Sequence, residues 1–484
     1  MVEEAVAAPS PRGSLRPGVI LALVCGAQFM VTLDIAIVNV ALPSIQADLG
    51  LKQADLQWVV ITYGLMLGGL LLLGGRAGDL LGRRRVLLAG LGLFTAASLT
   101  AGLAESFVQL VLSRGAQGVG AALTAPAALA ILAGTFPEGP ARNKALGVFG
   151  GVGASAASVG VVISGALTAG PGWAWIFYIN VPVGLGLVAL MVKYIPADER
   201  IRRGKFDVGG AVTVTGGLLA VVYAINKSVD YGWTSTTTLG FLAAGLAVIV
   251  IFVVIEHRSS APLMPPRMFR VPTLNAANLV AGLAFAAFFA TIFQASLLMQ
   301  QVLGYSALRT GVAYLSMAVT AVVVSAGPAP RLLVRLGAGW TLVIGQSSSA
   351  IGMLLLARVP ADAAYWTDLF PGFVLVGVGV GLSVVAAQVA AFIGIDKNVS
   401  GLAGGMVETA REIGGALGTA IVASVAIATA RQVQGTGMPG PTAFTEGFQR
   451  GSLVATGFNV AGALAALIVL RRAERSARAR WEAS

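Results

Sequence analysis

The chain has 484 residues, 56% of them hydrophobic and only 11% charged, with a formal net charge of +11 and a mean hydropathy of +0.84. A soluble domain carries roughly 25% charged residues, so a water-soluble body of this size is excluded. A single histidine, His257, and a single cysteine, Cys25, exclude an intrachain disulfide, a structural zinc site and a Cys–His catalytic pair in a monomer.

The apolar residues fall into runs about 20 residues long, the length a helix needs to cross roughly 30 Å of hydrocarbon. The runs are continuous and lack the alternation of a membrane barrel. The predicted fold is therefore an all-α polytopic membrane protein. In chain order the spans are 18–43, 56–75, 86–104, 107–132, 144–168, 174–193, 208–226, 238–256, 273–298, 311–327, 339–357, 369–393, 401–430 and 451–470. The first run is too long for a signal h-region and carries Asp34 in its middle, so it reads as a span rather than a cleaved leader. Glycine is abundant (63 residues) and sits inside the runs, with Gly64/Gly68, Gly147/Gly151, Gly401/Gly405 and Gly414/Gly418 at the four-residue spacing that lets helices pack closely.

Basic residues are enriched in cytoplasmic loops. With the N-terminus placed inside, 24 of the 32 Lys and Arg fall in inside segments, six in outside segments and two within spans. That bias predicts an even number of spans with both termini cytoplasmic. It accounts for the net positive charge without nucleic acid. The lipid bilayer is then the expected macroscopic partner, and the basic tail is expected to be solvated or to touch anionic lipid.

Charges inside spans are costly and mark function or a structural ion pair. Five stand out. Asp34 lies about 16 residues into the first span, roughly 24 Å along it. Arg114 opens the run Arg114-Gly-Ala-Gln117-Gly118, whose Arg, Gln and Gly share one helix face. Glu408, Arg411 and Glu412 share a face of the thirteenth span at spacings of three and four. Arg411 can pair fully with only one glutamate at a time. The five charges sum to −1, an excess that a dry site relieves by binding a proton. That proton is the expected coupling ion, with Asp34 and Glu408 its first carriers and Glu412 next. Two glycine runs, at Gly118 to Gly120 and Gly377 to Gly381, lie in apolar spans after no strand, and no phosphate loop is present. No cofactor is expected. His257 sits at a span's rim and reads as interfacial.

These residues resemble the major facilitator superfamily, in particular its fourteen-span drug:proton antiporter branch. Gly75-Arg-Ala-Gly-Asp79-Leu-Leu-Gly82-Arg83-Arg84-Arg85 is similar to the family's loop motif after the second span. The first span from Leu33 to Ile45, Arg114-x-x-Gln117-Gly118-x-Gly120, Trp173 to Gly184 and Glu408 to Gly415 resemble further motifs of the branch. The resemblance implies two six-helix bundles with two extra central helices and a substrate site between the bundles near the midplane. The implied organisation is a cytoplasmic N-terminus 1–17, a bundle 18–193, a linker with two spans 194–272, a bundle 273–470 and a basic tail 471–484. It implies a conformational-switch role for Gly75, Asp79, Gly82, Arg83 and Arg84, and proton coupling at Asp34, Arg114, Glu408, Arg411 and Glu412. The fifth-helix antiporter motif departs from the family pattern: Gly160 and Gly165 remain, but Val161 stands where the family has proline. The family's tenth-helix acidic residue has no counterpart between Gly311 and Gly327. Gln28, Asn39, Gln117, Gln294 and Gln388 are candidate cavity residues.

The expected function is proton-coupled export of small amphipathic drugs or antibiotics across the inner membrane by a monomer working through alternating access. The alternative is a dedicated exporter or importer of one metabolite. A scaffold would not need buried carboxylates, and an enzyme would need catalytic groups more tightly clustered than these.

Overall fold

The structure is a computed structural model that describes residues 17–136, 140–197, 207–259, 262–393, 395 and 400–470. The N-terminal segment 1–16, residues 198–206 of the loop 194–207 and the basic tail 471–484 lie outside the described residues. Regular structure among the described residues is helical throughout. In order the helices are α1 Pro17–Leu49, α2 Gln53–Leu81, α3 Arg83–Gly102, α4 Phe107–Thr135, α5 Pro140–Ala169, α6 Trp175–Tyr194, α7 Val208–Tyr231, α8 Thr236–Arg258, α9 Pro272–Leu297, α10 Ala307–Ala326, α11 Pro328–Leu356, α12 Phe370–Phe392, α13 Ser400–Gln434 and α14 Gly440–Ala465. A π turn lengthens α9 to Val302, another precedes α12 from Tyr365, and a third carries α14 to Leu470. Thirteen of the helices are long and apolar enough to cross a membrane, and α5 is a continuous helix of 30 residues.

Local chemistry explains where these helices start. Ser106, Asp207, Ser235 and Ser306 each accept a backbone N–H from the first turn of α4, α7, α8 and α10, meeting donors that a helix start leaves unpaired. Gly82, at φ 102°, ends α2 and turns the chain into α3; only glycine takes that conformation without strain. Its counterpart is Gly337, at φ 82° inside α11. The sequence places the end of the tenth span at Gly327-Pro328. The chain reverses ten residues later, because a proline in the first turn restarts a helix as readily as it ends one.

The packing repeats. α1 packs on α5, α2 and α3 on α4, and α3 on α6; eight helices on, α9 packs on α13, α10 and α11 on α12, and α11 on α14. Two seams join these sets, α2 against α13 and α5 against α10, and the hairpin α7–α8 lies over the α2–α13 seam. Ile61 and Leu65 of α2, Leu218 and Val222 of α7 and Ala416 and Ala420 of α13 form its apolar filling. The four-residue glycine pairs bear out close packing at α13, where a Cβ on Gly414 or Gly418 would lie 2.3 Å from the α9 backbone.

The two ends of the molecule differ. At the end carrying Arg83–Arg85, Arg331 and Arg335 (the basic end), buried apolar residues form two separate groups. One comes from α1–α6, with Ile20, Leu87 and Leu132, and the other from the second set, with Leu274, Leu342 and Ala390. At the opposite end the groups mix. Val40 and Val161 pack among Tyr314, Phe373 and Phe448, and Phe293 and Leu297 pack among Ile37, Leu56 and Phe177. Ser296 and Gln300 of α9 donate to the carbonyls of Asn39 and Val40 at 2.7 and 2.8 Å, and Gln301 bonds Gln46 at 2.6 Å. Among the described residues the two sets share their apolar packing at the opposite end and keep separate apolar groups at the basic end.

Candidate functional site

Asp34 and Arg114 meet in the interior of the first bundle. α1 and α4 present them to each other as an ion pair, and both are fully buried, at 0% and 1% exposure. Two further donors reach the Asp34 carboxylate: Gln117 Nε2 and Asn180 Nδ2, each at 3.1 Å from Oδ1. Gln117 accepts from Arg114 at 2.8 Å and bonds Ser98 of α3 at 2.8 Å. Arg114 Nε donates to the Val59 carbonyl of α2 at 2.9 Å. Its guanidinium carbon lies 4.4 Å from the Tyr63 ring centroid and 5.9 Å from that of Phe177, both within cation–π range. Five helices therefore converge on one carboxylate. A buried pair of this kind persists only where its polar groups find partners; here Gln117 and Asn180 serve the carboxylate, and Val59 and Gln117 serve Nε and one terminal nitrogen of Arg114.

The second cluster lies on α13. Arg411 chooses Glu408, at 2.5 Å, and its guanidinium carbon stacks 4.1 Å from the Phe285 ring centroid of α9. The Glu408 side chain is 43% exposed, whereas Glu412 is buried and its Oε2 has no hydrogen-bond partner. Phe285, Phe288 and Phe289 form an aromatic cluster with centroids 5.4 to 5.8 Å apart. Glu408 and Arg411 thus sit beside an aromatic wall where the two sets of helices meet, one helical turn toward the basic end from Glu412.

The loop motif lies at the α2–α3 turn. Asp79 and Arg83 pair at 3.6 Å across the Gly82 turn, Arg83 donates to the Ala130 carbonyl near the end of α4 at 3.1 Å, and Arg84 donates to the Val192 carbonyl near the end of α6 at 2.6 Å. Arginines near helix C-termini answer unpaired carbonyls and the negative end of the helix dipole. Gly75 lies against Pro126 of α4. Of the antiporter remnant, Gly160 meets the Leu33 carbonyl of α1 and Gly165 meets Leu308 of α10, each too closely for an easy Cβ, while the Val161 carbonyl abuts Gly311.

Residues 24–419 match the family model for the Major Facilitator Superfamily. The chain belongs to that superfamily. It is 38% identical to the puromycin resistance protein pur8 of Streptomyces alboniger, over 91% of this chain and 88% of that one. It is 36% identical to the cephamycin export protein CmcT of Amycolatopsis lactamdurans, over 84% of each. It is 35% identical to the tetracenomycin C resistance and export protein of Streptomyces glaucescens, over 84% of this chain and 75% of that one. Among solved structures, an inward-facing, unoccupied bacterial homolog of the human lysosomal transporter Spinster superposes with a TM-score of 0.66 at 15% identity, covering 95% of this chain and 98% of that one. An auto-inhibited POT family peptide transporter superposes at 0.68 and 13% identity, covering 92% and 96%. These two similarities show the fold; the two sets of six helices and the α7–α8 pair are seen in the packing of this chain.

Within this facilitator fold the candidate cavity residues separate. Gln117 belongs to the Asp34 network. Gln28 is half-buried on α1 and bonds Thr32 at 3.1 Å, and Gln388 is half-buried beside Gly404 of α13. Asn39 is buried at the end opposite the basic one, and its amide bonds the Ile35 carbonyl. Gln294 is buried and its amide donates to Ser452 of α14 at 3.2 Å. Sequence reasoning left out Asn180, Ser98 and Tyr63 as members of the site. Asn180 carried a signal, a polar side chain in the sixth span, whereas Ser98 looks like any small residue of a span. His257 is exposed at the end of α8 and bonds the Val253 carbonyl.

Proposed function

We propose that this transporter is a proton-driven exporter of small amphipathic antibiotics or drugs, working as a monomer in the inner membrane with its basic end in the cytoplasm and no cofactor. The observation that carries the reading is the fully buried Asp34–Arg114 network of the first bundle, facing a second ionisable cluster on α13. Charges held in the membrane interior mark ion pathways. With the basic end cytoplasmic, the bundles part toward the cytoplasm, where a drug enters. Glu408 is the carboxylate that opening leaves within reach of water, and Asp34 is the one it seals. Protonation of a sealed carboxyl removes the charge that holds Arg114. Repacking of five helices around that change is what rocks one bundle against the other.

The relatives support the direction and class of transport, being named for resistance to or export of puromycin, cephamycin and tetracenomycin C. Each of these names carries a single compound, which favours the narrower reading, export of one natural product, as the second hypothesis. A 32% identical relative is named a multidrug resistance protein, which favours breadth. The test is reconstitution in liposomes with an imposed pH gradient and a panel of these antibiotics. Gradient-dependent movement of several compounds, lost in Asp34→Asn and Glu408→Gln, supports the broad reading, and movement of one supports the narrow one. Transport indifferent to the gradient, or undiminished in both variants, refutes proton coupling.

A further inference from the structure

A small, partly open cavity lies where α1, α2, α4, α9 and α13 meet, between the two ionisable clusters. Arg114 and Tyr63 form its first-bundle wall, Glu412 and Thr419 its α13 wall, and Phe289 and Gly64 close it. It has room for about one water molecule, given the size a buried water needs. Two polar groups converge on it. The Glu412 carboxylate is buried and its Oε2 has no partner. Arg114 spends Nε and one terminal nitrogen on Val59, Asp34 and Gln117, and none of these bonds uses the other terminal nitrogen. An unmatched buried carboxylate oxygen is expensive, and a water with two or more polar partners is the ordinary remedy.

We propose that this cavity is a hydration site in which one water accepts from Arg114 and donates to Glu412, joining the buried network of the first bundle to α13 across the α2–α13 seam. The inference rests on the proton-coupled reading and deepens it. Arg114 is then shared between two carboxylates, Asp34 directly and Glu412 through water. Proton binding at Glu412 changes what the water can donate and so what Arg114 holds. The charged or titratable groups facing Glu412 are Arg411 and Glu408 on its own helix, Tyr63 of α2 and Arg114 of α4; α9 brings only phenylalanine rings. No proton passes through Arg114. A proton reaching Glu412 comes from the vestibule, and the guanidinium transmits only the change in charge.

Gly64 offers a test that spares the charged groups. A Cβ there meets Ala416 and Glu412 at 3.8 to 3.9 Å, ordinary contact distances, so Gly64→Ala folds while taking up part of the water's space. Gly64→Ser puts a hydroxyl where the water would sit. The first readout is infrared difference spectroscopy of the reconstituted full chain, with the Glu412 carboxyl band identified as the one missing from Glu412→Gln. In wild type that band has the frequency of a hydrogen-bonded carboxyl, and a bound-water O–H band accompanying it shifts on exchange into oxygen-18 water. In Gly64→Ala it moves to the frequency of an unbonded carboxyl, and in Gly64→Ser it returns. The second readout is substrate-driven proton movement, expected to slow about tenfold or more in Gly64→Ala, the effect of losing one charge-assisted hydrogen bond, and to recover in Gly64→Ser. A carboxyl band identical in all three proteins overturns the hydration site, whatever transport shows. A wild-type protein whose transport ignores the pH gradient overturns proton coupling instead, and the spectroscopic arm still decides the cavity.

Discussion

Breaking the Asp34–Arg114 pair one partner at a time, and then both together, tests whether the pair works as a buried ion pair. Asp34→Asn removes the charge that balances Arg114 where neither group reaches water. The asparagine keeps one carbonyl oxygen for Gln117 and Asn180 but turns an N–H toward Arg114 or its neighbours. Loss of one member of a buried pair costs about 3–5 kcal/mol, because the other charge stays buried unmatched. Arg114→Met leaves the Asp34 carboxylate with only the two amide donors and costs a similar amount. If the pair is the unit, the double variant regains most of that loss, since neither charge remains, and the coupling energy between the sites reaches several kcal/mol. Unfolding of each variant in detergent, followed by tryptophan fluorescence, gives the cycle, and transport in liposomes is measured alongside. The expected pattern is two unstable single variants, a stable double variant and no transport in any of the three. A double variant no more stable than the sum of the singles would falsify the account of the network as a charge-balanced unit.

Two further outcomes follow from the geometry. Ser296→Ala with Gln300→Ala deletes two hydrogen bonds between the two sets at the end opposite the basic one. At about 1 kcal/mol each, this favours opening of that end roughly 30-fold. In a Cys25→Ser background, a cysteine replacing the fully buried Val40 should react faster with an impermeant maleimide by about that factor, and an unchanged rate would exclude this seam as the gate. At the outer edge of α7, Asp230 pairs with Arg431 of α13 at 3.0 Å and with Lys227 at 3.5 Å. Partial burial pushes its carboxyl up, but Arg431 and then Lys227 outweigh that and hold it below the usual carboxylate range. A depressed folded-state pKa gives stability that is present above the unfolded value, about 3.9, and lost as pH falls through the folded value. Wild type and Asp230→Asn should therefore differ by a constant amount from about pH 5 to 8 and converge only below about pH 4; convergence near neutrality would refute the assignment.

Much of this was legible in the sequence, for reasons that differ from residue to residue. The spans were legible because a hydrocarbon crossing sets their length, and the Arg114–Gln117 face because both residues lie on one helix at a spacing of three. The partners Ser98 and Asn180 were not, since they come from other helices and only folding brings them to Asp34. Arg411's preference for Glu408 over Glu412 was open in the sequence, because both glutamates lie within helical reach. The neighbouring helices decide it: Phe285 of α9 stacks on the guanidinium, and Glu412 is turned toward Gly64 and Gly68 of α2. The Ser452 partner of Gln294 was not legible, since it comes from another helix.

The repeat of the fold shows how unevenly its chemistry is shared. Gly90 and Gly120 bring α3 against α4 as Gly345 and Gly379 bring α11 against α12. Counting from these contacts, the place of Arg114 in the second bundle falls to Phe373 and that of Ser98 to Met353. Phe373 stacks on Tyr314 with centroids 5.5 Å apart, and the Met353 sulfur accepts from Thr291 and Asn459 at 3.5 and 3.4 Å. Where one bundle buries an ion pair, the other buries an aromatic stack and a thioether. Among the described residues, the Asp34–Arg114 ion pair therefore has no charged counterpart at the matching positions of the second bundle. Among the described residues, the buried charge of the second bundle is Glu412, on the face α13 turns toward the seam. Phe373→Leu should thus cost about 1 kcal/mol or more of stability through lost packing and leave the proton dependence of transport as it was. A shifted pH profile in that variant would show that the second bundle's core takes part in coupling after all.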